Sequence, residues 1–251
     1  MIPKIIHYCW FGRNPKPKLV QKCIESWKKY CPEYKLIEWT EDNFDLEHAP
    51  QYVQDAYREK KWAFIADYAR LAALSEMGGI YFDTDVELID SMDQFLYCDG
   101  FTGTEDGCHV SAGVMGCVKG NPVINQFKET YNDISFYKPD GSLNMTTIVV
   151  MMTDFFENKG YVHEDVTQVI DGFTIYASPY FYPLSVVDGV MRKTKATVAI
   201  HWFAGSWETD EKKKERKKNQ RKRRFRDRIV ALIGENRYED LKRLLRNKSD
   251  G

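Results

Sequence analysis

Residues Gly78 to Leu88, Gly-Gly-Ile-Tyr-Phe-Asp-Thr-Asp-Val-Glu-Leu, constrain the fold more than any other stretch of this chain. The glycine pair supplies the left-handed backbone that ends a helix. Ile80-Tyr81-Phe82 then make a short buried strand, with Asp83 and Asp85 at its end. Alternation along an extended backbone points both carboxylates to the same side. Two like charges so placed repel unless a cation or a ligand's donors share them. A hard divalent metal with oxygen ligands, holding a diphosphate, is the occupant such a pair calls for. A solvated turn with two carboxylates is the plainer alternative.

The stretches around this segment predict an α/β fold. Lys4 to Cys9 reads as a first strand, Leu19 to Tyr30 as a helix with Val20, Cys23, Ile24 and Trp27 on one face, and Tyr34 to Trp39 as a second strand. Ala49 to Glu59 and Trp62 to Met77 follow as helices, the second stopped by Gly78-Gly79. This alternation favours a mixed, mainly parallel central sheet. Ligands of such sheets sit beyond the carboxyl ends of the strands, where Trp10 and the Asp83/Asp85 pair both fall. The Gly-rich span from Phe101 to Val118 suggests loop and strand near the site. Asn121 to Tyr131 and Thr146 to Asn158 predict two further helices. Short strands are expected around Val169, at Phe173 to Ala177 and at Thr197 to His201.

Composition limits the class. In 251 residues, 43% are hydrophobic and 14% aromatic, which gives a real core and excludes a disordered chain. No apolar run reaches the roughly 18 residues of a membrane-spanning helix. The N-terminus lacks the apolar core and cleavage site of a secretory signal, so the expectation is a chain that begins near Met1 and stays in the cytoplasm. The six cysteines form no Cys-x-x-Cys pair and no zinc-like grouping, and read as free thiols. The net charge of −1 conceals an asymmetry: residues 211–251 hold 17 Lys/Arg against 7 Asp/Glu, and the first 210 hold 19 against 30. We therefore divide the chain into an acidic catalytic body, 1–210, and a basic, partly amphipathic helical tail, 211–251.

Four further groups carry candidate chemistry. Asp67 and Arg70, three apart, share one face of the Trp62–Met77 helix; the Asp can accept from sugar hydroxyls and the Arg can pair with phosphate or with Asp83. A surface ion pair is the ordinary reading of that spacing. His201 follows a short apolar strand, and a neutral imidazole is a good metal ligand. Gly205, Ser206 and Trp207 offer donors to a phosphate. Trp10, at the end of the first strand, can stack a nucleobase, or it can simply pack in the core.

Three stretches together resemble the bacterial capsular-polysaccharide branch of glycosyltransferase family 32, the family with the Asp-x-Asp sugar-binding motif. They are Pro3 to Gly12, Lys61 to Arg70 running into Gly78 to Asp85, and His201 to Trp207. The chain is also similar, more distantly, to the glucosylating domains of large clostridial toxins. The resemblance implies a GT-A, Rossmann-like nucleotide-sugar-binding fold, a divalent metal (Mn2+ or Mg2+), a UDP-hexose donor and retention at the anomeric carbon. Carried over by position, it implies that Trp10 stacks the base and that Asp67 and Arg70 hold the donor sugar. Asp83 would contact ribose, sugar and metal, Asp85 and His201 would ligate the metal, and Ser206 and Trp207 would contact the diphosphate. The chain departs from many relatives in having Ser111-Ala112-Gly113 in place of Asn-Thr-Gly, and Ile200-His201 in place of paired histidines.

The expected function is thus sugar transfer from a nucleotide-sugar to a glycan acceptor, a lipid-linked capsular or surface-polysaccharide repeat unit. No residue must be a covalent nucleophile, although Asp67, Glu105 and Asp106 are available. Phe225, Ile229, Leu232 and Ile233, with Leu241, Leu244 and Leu245, give the tail apolar patches among its cations. They would dock the protein peripherally on anionic lipid at the inner face of the cell membrane. Nucleic acid is not an expected partner, because no reading motif accompanies the basic run. Two rivals compete. A haloacid-dehalogenase-like phosphotransferase would use Asp83 as nucleophile, and a non-catalytic carbohydrate-binding module would hold sugar without cleaving a donor.

Overall fold

The computed structural model describes residues 1–205, 209–235, 237 and 238. It divides into two compact units. Among the described residues, the first comprises 1–185 and 191–205, and the second joins Val186–Val190 to those from 209 onward.

The first unit is built on a seven-stranded sheet. Its strands are β1 (Ile5–Cys9), β2 (Lys35–Trp39), β3 (Gly79–Phe82), β5 (Gly100–Glu105), β6 (His109–Cys117), β7 (Gln168–Ile170) and β8 (Phe173–Tyr176), in the order β2-β1-β3-β6-β5-β8-β7. β1 pairs in parallel with both β2 and β3, and β5 with β8, whereas β6 and β7 run against their neighbours. Five of the seven strands therefore point the same way, as a mixed and mainly parallel sheet requires. β4 (Val86–Leu88) and β9 (Ala199–His201) form a separate antiparallel pair beside it.

Helices cover both faces. α1 (Lys18–Tyr30) lays Val20, Cys23, Ile24 and Trp27 on the face that carries Ile80, Phe82 and Val114. α2 (Gln51–Arg58), α3 (Trp62–Met77), α4 (Pro122–Glu129) and α5 (Ile148–Glu157) pack on the opposite face, with Tyr81, Met115 and Cys117. Tyr81 belongs to one core and its neighbours Ile80 and Phe82 to the other, the expected consequence of strand alternation. α4 starts as its sequence dictates: Pro122 stands in the first turn and the Asn121 side chain accepts from Val123 and Ile124 N–H.

Gly78 and Gly79 hold α3 against β3. Their φ angles are +67° and +105°, and a Cβ on Gly79 would lie 2.8 Å from the Ile5 carbonyl oxygen. Side chains are excluded there by backbone conformation and by space alike.

The Gly-rich span 101–118, expected as loop and strand, is a hairpin of two strands, β5 and β6. Its glycines admit rings: a Cβ on Gly100 would fall 2.5 Å from the Phe173 ring, and one on Gly116 2.3 Å from Phe101. In the second unit, a single helix, α6 (Asp210–Ile233), runs through the charged stretch and on past Phe225. The Thr209 side chain caps it by accepting from Lys212 N–H. Gln220 Nε2 donates to the Val186 carbonyl at 2.9 Å. Leu241, Leu244 and Leu245 lie outside the described residues. No helix among the described residues is long and apolar enough to cross a membrane.

His7 in β1 is fully buried between two fixed partners. Trp39 Nε1 donates to its Nδ1 at 3.1 Å, so the proton sits on Nε2, which donates to the Gly78 carbonyl at 2.9 Å. Burial lowers its pKa from 6.5, against the pull of Gly78. The neutral ring therefore contributes stability that is present above the unfolded-state pKa and lost as pH falls through the folded-state value. Thermal melts taken downward from about pH 7.5 to 5.5 should show a loss of up to roughly 1.4 kcal/mol per pH unit below the unfolded value. A His7→Gln variant should flatten that slope; an unchanged slope would remove His7 as its source.

Candidate active site

β3 ends at Phe82, and the chain turns at once. Val86 N–H donates to the Asp83 carbonyl at 3.0 Å, and Asp83 N–H donates to the Gly113 carbonyl at 2.8 Å. Asp83 and Asp85 therefore do not share a side by strand alternation, as extended backbone would require. They occupy a tight turn, and the turn brings both carboxylates to His201. That histidine arrives from β9, whose pairing sets Val86 opposite His201.

Asp83, Asp85 and His201 each offer a ligand atom, and these atoms lie within 4.8 Å of one another. His201 Nε2 is 3.0 Å from Asp85 Oδ1 and 3.9 Å from Asp83 Oδ2. The second oxygen of Asp85 accepts from Ala204 N–H at 2.7 Å. Burial would raise the Asp85 pKa, but His201 and the Ala204 N–H outweigh it and hold the carboxyl down at about 2. Burial likewise opposes charge on His201, yet Asp85, Asp83 and Glu105 carry it up to about 9. His201 Nδ1 is buried without a hydrogen-bond partner. Two carboxylates and an imidazole converging in this way fit a divalent cation.

Arg70 ties this group to α3. Its guanidinium is 2.8 Å from Asp67 Oδ1 and 3.1 Å from Asp83 Oδ1, and it donates to the Ala112 carbonyl at 2.8 Å and to Ala66 at 3.2 Å. It lies 4.5 Å from the centre of the Tyr81 ring. Asp67 and Arg70 are both buried, so their spacing marks an internal bridge and not a surface pair. Burial pushes the Asp67 carboxyl up, with Arg70 pulling the other way. Burial also disfavours charge on Arg70, but Asp83, Tyr81 and Asp67 keep it a cation.

Other members of the site carried little signal in the sequence. Tyr81 hydroxyl donates to Asp83 Oδ1 at 3.1 Å, from inside what read as an apolar strand. Tyr182 sets its ring edge-on to His201 and accepts from Val114 N–H at 2.8 Å. Ser111 Oγ donates to Glu105 Oε2 at 2.7 Å. Gly113 leaves a bare floor: a Cβ there would meet Asp83 Oδ2 at 3.1 Å and His201 Cε1 at 3.4 Å.

Trp10 lies just past β1, on the same sheet edge as Asp83. Its indole N–H donates to the Asn14 carbonyl at 2.7 Å, and Lys16 Nζ stands 5.8 Å from its ring centre. Ser206 and Trp207 lie outside the described residues.

Residues 17–101 match the family model described as a glycosyltransferase sugar-binding region containing a DXD motif. Asp83-Thr84-Asp85 lies within the matched residues and has the Asp-x-Asp form of that motif. Inositol phosphoceramide mannosyltransferase 3 of Schizosaccharomyces pombe is 29% identical over 131 residues, 50% of this chain and 36% of that protein. Mannosyl phosphorylinositol ceramide synthase CSH1 of Saccharomyces cerevisiae is 30% identical over 156 residues, 59% of this chain and 39% of that protein. The chain thus spans well under half the length of these curated relatives. Among solved structures, galactosyltransferase LgtC, in complex with donor and acceptor sugar analogs, matches at 13% identity with a TM-score of 0.46, over 85% of this chain and 95% of that one.

Proposed function

We propose that this protein is a GT-A, metal-dependent, retaining glycosyltransferase that moves a hexose from a nucleotide-sugar to an acceptor carried on lipid. The observation that carries the reading is the convergence of Asp83 and Asp85 of the DXD motif with His201, beside the buried Arg70. A cation bound by Asp83, Asp85 and His201 would stabilise the charge that develops on the leaving nucleoside diphosphate. Arg70 neutralises Asp83 and fixes its orientation toward ribose and sugar. Asp67 holds Arg70 and can accept from a donor hydroxyl, Trp10 stacks the base, and Ser206 and Trp207 donate to the diphosphate. The sugar–phosphate bond breaks with its electron pair leaving on the phosphate. The acceptor oxygen bonds the anomeric carbon from the same face, and its proton passes to the departing phosphate.

The acceptor class draws on two supports. Relatives bear the names of enzymes that mannosylate inositol phosphoceramide, a lipid. The tail adds a surface fit for lipid: in α6, Phe225 and Leu232 are 67% and 84% exposed, seven residues apart on one face of a strongly basic helix. On this reading, residues 1–210 catalyse and residues 211–251 dock to an anionic membrane surface, bringing the site to a capsular or other lipid-linked glycan. Each cation near the surface contributes about 1 kcal/mol.

A nucleotide-release screen of the full chain with Mn2+ across UDP- and GDP-hexoses tests the chemistry. Release from one donor, abolished by chelation, is expected; silence from every donor, with no donor-induced thermal shift, would defeat it. The anomeric configuration of the product, read by NMR, tests retention. For the tail, the full chain should sediment with vesicles containing phosphatidylserine and remain in solution with pure phosphatidylcholine. Joint Phe225→Ser and Leu232→Ser substitution should weaken that binding by roughly tenfold or more. Equal sedimentation with both lipids would remove the electrostatic docking.

A further inference from the structure

A second group of ligand-type side chains lies at the tip of the β5–β6 hairpin, separate from the DXD motif. Asp106 and Gly107 are consecutive left-handed residues, with φ of +52° and +80°. They fold the chain back so that Cys108 and His109 return to the Asp106 carboxylate. Cys108 Sγ is 3.1 Å from Asp106 Oδ1 and 3.4 Å from His109 Nδ1, and His109 Nδ1 is 3.0 Å from that same oxygen. A tetrahedral zinc ion, with bonds of about 2.0 Å to oxygen and nitrogen and 2.3 Å to sulfur, spaces such ligands roughly 3.3–3.5 Å apart. The triangle of thiol, imidazole and carboxylate is within a few tenths of an ångström of that spacing.

The position of Cys108 is fixed from outside the hairpin. Its carbonyl accepts from the Tyr161 hydroxyl at 3.0 Å and lies 3.1 Å from His163 Nδ1. The His163 ring stands edge-on to His109, with ring centres 6.3 Å apart. A second imidazole therefore borders the group from a different segment.

We propose that Asp106, Cys108 and His109 form a binding site for a zinc-class divalent cation that locks the hairpin tip. Mixed sulfur, nitrogen and oxygen donors select such a borderline ion over Mg2+ or Ca2+. The locked tip holds Glu105, one residue before the site, where its carboxylate accepts from the Ser111 hydroxyl at 2.7 Å, two residues before the Gly113 that lies against Asp83. The site thus braces one wall of the DXD centre without joining its ligands.

Co2+ serves as the probe on the reduced full-length protein, because a cysteine ligand gives a thiolate-to-cobalt charge-transfer band that an oxygen and imidazole site does not. The band should appear in the wild type and in Asp85→Asn, disappear in Cys108→Ser, and be displaced by Zn2+. His109→Ala and Asp106→Asn should weaken the apparent Co2+ affinity at least roughly tenfold, with the far-UV circular dichroism of the fold retained. No band in the wild type, a band that persists in Cys108→Ser, or a band lost in Asp85→Asn would each overturn the assignment. Failure of the donor screen leaves this outcome unaffected, since the band reports on Cys108 alone.

Discussion

Asp85→Asn is expected to lower donor turnover by about 10²–10³-fold while leaving the protein folded. The amide keeps an oxygen for Ala204 N–H, so the turn that follows β9 retains its anchor. What it loses is the charge that pairs with His201 at 3.0 Å and would face a cation. Donor turnover measured alongside a thermal melt separates the two effects. A variant that keeps more than about a tenth of wild-type turnover would take Asp85 out of the catalytic centre.

Arg70→Met should act on stability first. Arg70 is the shared partner of Asp67 and Asp83 and also serves the Ala112 and Ala66 carbonyls. Removing it leaves Asp67 as an uncompensated buried charge, a loss of about 3–5 kcal/mol. Urea unfolding measures it directly. Adding Asp67→Asn to Arg70→Met should return part of that loss, because the unpaired charge is then gone. Arg70→Lys should rescue little, since an ammonium cannot reproduce a planar fork with four oxygen partners. A loss below about 1 kcal/mol for Arg70→Met would assign the pair to the solvated class, whose bridges contribute that little.

The parts of the site that could be read from sequence are those whose signal is local. Asp83-Thr84-Asp85 follows a strand and a helix-stopping glycine pair, and Asp67 and Arg70 share a helical face, so short-range periodicity is enough to single them out. Trp62–Met77 was legible to the residue for the same reason. The same-side argument for Asp83 and Asp85 reached their proximity by the wrong geometry. A turn, closed by Val86 N–H, replaces the strand that alternation assumed. Tyr81 and Tyr182 escaped because apolar strands and loops hold many tyrosines, and only tertiary packing shows which hydroxyl meets Asp83 or Val114. The glycines of the 101–118 span left loop and strand undivided because glycine is a turn signal, whereas Gly116 stands within a strand and leaves space for the Phe101 ring.

The pairing of β4 with β9 has a consequence for how this protein comes into being. Asp85 and His201 stand 116 positions apart in the chain and meet only through that two-stranded ladder. A ribosome making the protein therefore exposes the acidic half of the centre long before its imidazole partner is synthesised. Until β9 arrives, Asp83 lacks the His201 imidazole, and among the described residues Arg70 and the Tyr81 hydroxyl are the side chains left to face it. The proposed centre is complete once β9 has paired with β4.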